Sequence, residues 1–506
     1  MIKRKILRTL LAILFCPVIA MGQNETQLLT FEDAMQIMSE KNPALLRVKQ
    51  EIQQKEYEVK VKRGLHLPQV SLSAQAVSMS DPLHLDLTPV SEAITPLYNA
   101  LGNYGVFSGV PNPDPASNSI VPVLPDDVST AAVRKQLLEA GEAIEAAEWD
   151  QMIQEKNFAT VSANFMWPVF TGGKIKGAND AADVQIEMSR EDLRKTEGAL
   201  LTELVTRYYG LALGVQVCDL RKQVLEGMQN HYNDAQKLFD NGMIAKVELL
   251  HATVSRNEAE RELKMAERNI EIIRSGLAAT LSSDSLKQVL PASHLFINKE
   301  LSDLSYWVAK AKSANPQLKQ IEGKRELVEI KHKVEKQEYL PTIAMMGNFN
   351  IVDKDLSPYA PDWLVGVGMK WTIFNGMARK NNIKASETQY NQVNFAEQKA
   401  HNDLEAYLTK LYQELNMQME QKAELETTLE LAEEYLRSTE KAFNEGFATS
   451  TSVVDAYTKV AQVKTLRLKV LYQYDVALAC FLQTAGIPED YIAYCSGENT
   501  LTDFSE

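Results

Sequence analysis

The chain is poor in cysteine, in long uninterrupted apolar segments and in positive charge, and each shortage removes a class of protein. Its 506 residues include four cysteines, at positions 16, 218, 480 and 495, with no CxxC spacing and no histidine cluster beside them. That pattern offers neither a disulfide framework nor a thiolate metal site, so Cys218, Cys480 and Cys495 read as packing residues. No stretch beyond the N-terminus reaches the roughly 18 uncharged apolar residues of a membrane-spanning helix. Acidic side chains outnumber basic ones by 67 to 53, a balance that argues against nucleic acid as a partner. Histidine is also scarce, with seven in all; His251 and His401 lack HExxH spacing and no His is grouped with a Ser or Cys nucleophile. Most of the histidines read as solvated helix residues, and no catalytic residue, resident metal or cofactor is expected.

One apparent motif also fails. Residues 167 to 174 read WPVFTGGK, two glycines before a lysine at the start of an amphipathic segment. A phosphate-binding loop needs a further glycine five positions before Gly173 and a hydroxyl after Lys174, where Pro168 and Ile175 stand. The same strand-like run and turn recur as WTIFNGMA at 371 to 378. The question is what one chain does with this turn twice.

The N-terminus carries Lys3, Arg4, Lys5 and Arg8, then an apolar run from Leu10 to Ile19, then Ala20-Met21-Gly22. This is the pattern of a cleaved secretory signal over residues 1–22. A membrane anchor would need a longer run, about 20 apolar residues. Lipid attachment at Cys16 would place bulky Phe15 where a small residue is usual. Removal of the signal leaves 49 positive against 67 negative side chains, a net charge of −18. If the exported protein enters a membrane, it must do so as a β-barrel.

The chain is internally duplicated. Asn42-Pro43 and Pro68 recur as Asn315-Pro316 and Pro341, at an offset of 273. Trp167, Phe170 and Gly172 recur as Trp371, Phe374 and Gly376, at an offset of 204, and the same offset carries FDNGMIAKVELLHA (239–252) onto FNEGFATSTSVVDA (443–456). The offsets differ by 69 residues, which places an insertion of that size in the first copy, within about 80 to 150. It is rich in Pro, Ser and Asn at 81–125 and reads as an acidic helix from Val128 to about Lys156. A long loop between elements of a compact body is usually functional or disordered.

Each copy contains two runs of period two. Val70, Leu72, Ala74 and Ala76 alternate with Ser71, Ser73 and Gln75; Val161, Ala163, Phe165, Trp167 and Val169 alternate with Ser162, Asn164 and Met166. In the second copy Ile343, Met345, Phe349 and Ile351 alternate with Thr342, Asn348 and Asn350, and Val365, Val367, Met369, Trp371 and Ile373 alternate with small or polar residues. Four strands of about ten residues, apolar on one face, have the length and dyad pattern of a transmembrane barrel, with Trp167 and Trp371 placed for an interfacial girdle. The competing reading is a half-buried soluble sheet. Four strands cannot close a barrel, so an oligomer is required, and three copies would supply twelve.

The remainder reads as helix. Residues 174–240 and 377–443 keep a heptad-like pattern for 67 residues each without proline, about 100 Å at about 1.5 Å per residue. Shorter helices are expected over 44–66, 246–283, 317–339 and 450–485. Stacked end to end, 44–66 and 246–283 span about the length of one long helix, which describes a hollow helical cylinder.

With the duplicated strand and helix plan, the turns VFTGGK and IFNGMA and the tips LFDNGMIA and AFNEGFAT, the chain resembles the TolC-type outer-membrane efflux proteins. The resemblance implies a mainly α fold with transmembrane β: a trimeric twelve-stranded β-barrel, four strands per protomer, continued by a long periplasmic α-helical barrel and internally duplicated. It divides the chain into a signal peptide (1–22), periplasmic helices (23–67), β-hairpin 1 (68–173) with extracellular insertion 81–150, α-barrel helices (174–340), β-hairpin 2 (341–375), α-barrel helices (376–485) and a C-terminal tail (486–506). It implies a homotrimer in the outer membrane of a Gram-negative bacterium, in contact with its lipid. The duct would be passive, an exit for efflux or type I secretion, opened by a periplasmic membrane-fusion adaptor and an inner-membrane pump of RND, ABC or MFS type.

The same resemblance assigns sites. Gly172, Gly173 and Gly376 become strand-to-helix turns. Asn241, Gly242, Met243, Glu445, Gly446 and Phe447 become adaptor-docking tips. Glu248 and Asp455, taken as matching sites in the two copies, become an acidic pore constriction. Ser452, Phe443 and Ala448 depart from the acidic and polar residues that relatives carry there. Two other functions remain: a metal-specific exporter, suggested by Met79, Met166, Met345, Met346 and Met369, and a secreted coiled-coil scaffold or adhesin.

Overall fold

The computed structural model describes residues 27–104, 110, 111, 114, 116, 120, 121, 130–283, 288–496 and 500–502. The expected leader with Cys16, and much of 105–129 in the insertion, lie outside them. The elements in chain order are β1 (Gln27–Leu29), α1 (Phe31–Lys41), α2 (Pro43–Gly64), β2 (Gln69–Ser78), β3 (Leu83–Asp86), α3 (Thr88–Tyr104), β4 (Val110–Pro111), β5 (Ile120–Val121), α4 (Thr130–Ala146), β6 (Asp150–Gln154) and β7 (Asn157–Phe170). There follow α5 (Lys174–Asp240), α6 (Lys246–Leu281), β8 (Val289–Pro291), β9 (Phe296–Asn298), α7 (Leu304–Ala314), α8 (Pro316–Gln337), β10 (Thr342–Lys354), β11 (Trp363–Lys370), α9 (Ala378–Asn444), α10 (Ser450–Ala485), α11 (Tyr491–Ser496) and β12 (Thr500–Thr502).

The duplication is written in element lengths. α1 and α7 have 11 residues each, α2 and α8 have 22, α5 and α9 have 67, and α6 and α10 have 36. It is also written in contacts. Asn42 Nδ2 donates to Thr280 O at 2.9 Å, and its counterpart Asn315 donates to Thr484 O at 2.8 Å. Each asparagine ends one helix before a proline that opens the next. Its amide thereby ties the start of α2 to the end of α6, and the start of α8 to the end of α10, the end-to-end junction that the helix lengths suggested.

The chain divides into two compact units. The first comprises residues 1–60, 177–335 and 380–506 and is helical, with small two-stranded pairings β1–β8 and β9–β12. Its core gathers Phe31, Tyr208, Tyr209, Phe296, Phe481 and Tyr491 with leucines of α5, α9 and α10. Leu200, Leu201, Leu204, Val205, Tyr208, Tyr209 and Leu211 put an apolar stripe of α5 into that core, the helical spacing that makes this face bury. Tyr208 donates from its hydroxyl to Leu29 O at 2.6 Å and accepts from Ser293 N, so its polar end is satisfied.

Three features of this unit add to what was expected. α1 and α7 are additional helices; Thr30 Oγ1 caps α1 by accepting from Asp33 N. Within the stretch expected as a C-terminal tail, Tyr491 is fully buried and β12 pairs with β9. Of the histidines, His231 is buried.

The second unit comprises residues 61–176 and 336–379. It holds an antiparallel sheet in the order β11-β10-β7-β2, together with the insertion. The acidic helix of the insertion, α4, ends at Ala146; Asp150–Gln154 is strand, not helix to Lys156. The Pro-rich part contains a helix, α3, with Pro96 inside it. β11 stops at Lys370, so Trp371 and Ile373 lie just beyond the strand that was expected to include them.

Candidate functional site

The register of the four strands sorts the side chains into two faces. Val70, Phe165, Gly347 and Val365 are in line across the sheet, as are Leu72, Ala163, Phe349 and Trp363. On this face Val70, Leu72, Val365 and Val367 are exposed, and Leu72 retains 71% of its accessible surface. A soluble sheet would cover such a band, because exposed apolar patches of this extent are rare on monomers. The other face carries a polar ladder. Asn164 donates to Ser73 Oγ at 2.7 Å, Asn348 donates to Asn164 Oδ1 at 3.0 Å, and Ser162 donates to Asn350 Oδ1 at 2.9 Å. No described strand pairs with the outer edge of β2 or of β11. In lipid, unpaired backbone groups along two edges cost several kcal/mol each, so these edges demand closure by another chain.

Aromatic side chains stand at both ends of the sheet. Trp167 Nε1 donates to His66 O at 3.0 Å, and Trp371 Nε1 donates to Tyr339 O at 2.9 Å. At the opposite end Trp363 and Phe349 are cross-strand partners, with Tyr359 in the turn between β10 and β11. This second aromatic group was not singled out from sequence, although Trp363 opens a strand and so stands at its end. The strand methionines do not gather: Met166 and Met346 pair across the polar face, whereas Met345 and Met369 lie on the apolar one. Among the described residues no group of three His, Cys, Asp or Glu side chains is arranged to hold a metal.

The repeated turn has a backbone explanation. Gly172 and Gly173 have φ of 59° and 79°, and Gly376 and Met377 repeat this at 66° and 67°. Left-handed backbone of this kind costs glycine little, and it reverses the chain into the first turn of a helix. Met377 shows that the conformation is retained even where the side chain strains it. No ligand is needed to explain the turn.

The two tips share one design. Gly242 N donates to Phe239 O and Met243 N to Leu238 O; Gly446 N donates to Phe443 O and Phe447 N to Ala442 O. These are paired helix-ending bonds around a left-handed residue. They leave Met243 and Phe447 facing solvent, Phe447 at 84% exposure. Behind them Ala235, Ala252, Phe443 and Val453 form a small core with Ile244, Leu249 and Ala448 packed on it. The structure therefore brings both tips together and makes Phe443 a core residue.

The acidic pair needs correction. The constant offset aligns Glu248 with Ser452 and Asp455 with His251, so the two acids are one helical turn apart in the duplicated frame. Their surroundings differ accordingly. Glu248 Oε2 accepts from Ser450 N at 2.8 Å, at the first turn of α10. Asp455 is exposed on the surface of α10. Sequence reasoning missed the third member of this site: His231 Nε2 lies 2.7 Å from Ser450 Oγ and its ring packs edge-on against Phe443. Burial pulls the His231 imidazole below its ordinary range, against the opposing influence of Asp234 and Glu248. Beside it the Tyr457 hydroxyl donates to Glu440, and burial pushes that phenol upward.

Among the described residues no helix is long and apolar enough to cross a membrane, which leaves the sheet as the element with a membrane pattern. The family model of outer membrane efflux proteins matches residues 132–283 and 307–486, one stretch in each copy. No curated protein matches the chain. Among solved structures, a membrane protein from Pseudomonas aeruginosa is similar with a TM-score of 0.68 at 13% identity, over 90% of each chain. The outer membrane protein VceC from Vibrio cholerae is similar with a TM-score of 0.66 at 11% identity, over 90% of this chain and 96% of that one. The outer membrane channel CmeC from Campylobacter jejuni is similar with a TM-score of 0.65 at 13% identity, over 90% of this chain and 85% of that one. At such identities the likeness concerns fold alone, but it agrees with the match in both halves of the duplication, and the chain belongs to the outer membrane efflux protein family.

Proposed function

We propose that the protein is a passive exit duct of the outer membrane of a Gram-negative bacterium, working as a homotrimer whose helical unit lies in the periplasm. The observation that carries this reading is the four-stranded sheet with one uncovered apolar face and two free edges. Three copies joined β2 to β11 supply twelve strands and leave no edge in lipid. The polar ladder then faces the lumen and the apolar band faces the bilayer. Trp167 and Trp371 stand at one interface, their indole N–H groups already satisfied by backbone carbonyls.

The duct performs no chemistry of its own. An inner-membrane pump of RND, ABC or MFS type supplies the energy, and a membrane-fusion adaptor docks on the tips formed by Asn241, Gly242 and Met243 and by Glu445, Gly446 and Phe447. The exposed apolar side chains Met243 and Phe447 suit such an interface. Asp455, exposed and near the tip end of α10, is the better placed of the two acids to line a constriction, since Glu248 commits one oxygen to Ser450.

The test is current through planar bilayers containing the purified protein, with oligomeric mass determined on the same sample. Discrete conductance steps from a trimer support the duct. A monomer that never conducts returns the strands to a soluble sheet.

A further inference from the structure

The insertion between β2 and β7 has no task in the duct described above, yet its described residues are built rather than loose. Met79 N donates to Lys156 O at 2.9 Å and β3 then pairs with β6, so the β2–β7 hairpin is prolonged as a ribbon. Gln154 fixes the base of that ribbon to the turn of the second hairpin, donating to Asp355 O at 2.9 Å and accepting from Ser357 N at 2.8 Å. At the far end Leu87 N donates to Trp149 O at 2.7 Å, and the Trp149 indole donates to Ile144 O, one of the last carbonyls of α4. α3 and α4 then close on each other. A Cβ on Gly102 would lie 2.7 Å from Leu138 Cγ, and one on Gly141 would lie 2.9 Å from Asn99 Oδ1. A side chain at either position would make Leu138 or Asn99 shift, so glycine suits this approach.

The two helices present different outer surfaces. α4 exposes Lys135, Glu139, Glu142 and Glu145. α3 has one charged residue, Glu92, and exposes Val90, Ala93, Leu97, Ala100 and Leu101, positions that fall on one helical stripe. Leu97 keeps 56% of its surface. Such a stripe is what a packed helix buries.

We propose that the α3 stripes of neighbouring copies pack on one another, so that three helical hairpins close the outer mouth of the barrel. This rests on the trimer of the proposed function. A second copy is the occupant for two reasons. β2 is a free edge of the sheet and β3 prolongs the same strand, so the insertion continues the boundary at which the next copy joins. The exposed surface of α4 is dominated by Lys135, Glu139, Glu142 and Glu145, with Val133 and small alanines as its only exposed apolar positions, a poor match for the α3 stripe, so α3 meets α3, and identical helices do so around the threefold axis.

The test uses the full chain. Leu97→Cys and, as a control on the charged face, Lys135→Cys are each treated with a short bis-maleimide after the oligomeric mass is measured. Untreated cross-linking background is set by the natural chain, whose Cys218 is buried and whose Cys480 and Cys495 are part-buried. The expected result is a trimer in which Leu97→Cys forms covalent dimers and Lys135→Cys forms at least about tenfold fewer. A Leu97→Glu, Leu101→Glu variant then conducts severalfold more than the natural chain at unchanged trimer mass. A trimer with no Leu97→Cys cross-link overturns the inference and leaves the duct standing: residues 105–129, lipid or an external protein then covers the stripe. Cross-linking with unchanged conductance overturns the closure of the mouth. A monomer overturns the trimer itself and this inference with it.

Discussion

Ser450 donates its backbone N–H to Glu248 at 2.8 Å, so the first turn of α10 is held by a carboxylate from the first turn of α6 in the other copy. A carboxylate that satisfies an unpaired N–H at a helix start is worth about 1 kcal/mol. Glu248→Ala is therefore expected to raise amide exchange across residues 449–453 by roughly fivefold, since about 1.4 kcal/mol corresponds to tenfold. Glu248→Gln, which keeps an acceptor, should retain most of the protection. Unchanged exchange in Glu248→Ala would free this carboxylate for the pore.

Cation selectivity should separate the acids. Asp455→Ala is expected to lower the preference for cations in single-channel recordings at low salt and to lose that effect at about 1 M salt, where charges are screened within about 3 Å. An equal loss from Glu248→Ala would restore the symmetrical ring.

His231 supplies a pH dependence. Its neutral ring is favoured by burial, with His251 adding like-charge repulsion and Asp234 and Glu248 opposing it. A histidine depressed in the folded state stabilises fully above its ordinary value of 6.5 and loses that contribution as pH falls through the folded value. Amide exchange at the tips, taken relative to its intrinsic rate at each pH, should rise when pH drops from about 7.5 to about 5.5, the range in which histidine charges. His231→Gln, which can still bond Ser450, should flatten that rise. A slope unchanged by the substitution would place the titrating group elsewhere.

Asp475 predicts the opposite sign at higher pH. It is fully buried in α10, neither oxygen has a hydrogen bond of normal geometry, and burial holds its acid well above the usual range. Such a group stabilises while protonated, fully so below its unfolded value of 3.8, and the contribution is lost as pH rises toward the folded one. The slope from one group is at most about 1.4 kcal/mol per pH unit. Asp475→Asn should therefore reduce the fall in thermal midpoint between about pH 5 and pH 9. A parallel curve for the variant would sink the assignment.

Met377 and Gly376 make a reciprocal pair. Met377→Gly should stabilise the second rim turn by about 1 kcal/mol, because it removes a side chain from left-handed backbone. Gly376→Ala should cost about the same, from conformation alone, as no atom lies within 4 Å of its added Cβ. Denaturation midpoints of the two variants should move in opposite directions.

The repeat, the four strands and the four long helices were legible because each is a pattern sustained over many residues. α5 starts and ends where the heptads do, at Lys174 and Asp240. The tip contacts were not legible, because Ser450 meets Glu248 across 202 residues of chain and His231 across 219, and no local pattern encodes a pairing of that range. Pairing Glu248 with Asp455 by charge slips one turn; the constant offset, followed residue by residue, leads to Ser452 instead. α3 was obscured by Pro96, which reads as a breaker although the helix continues through it.

The free edges of β2 and β11 also bear on inheritance. In a ring of three, every chain offers one edge forward and accepts one behind, so a chain with a damaged β11 spoils each assembly it enters. Made alongside an equal amount of the natural chain, it would leave only about one ring in eight without a defect. Lesions in these strands are therefore expected to be dominant in a cell carrying both copies, whereas a truncated chain that never reaches assembly would be silent.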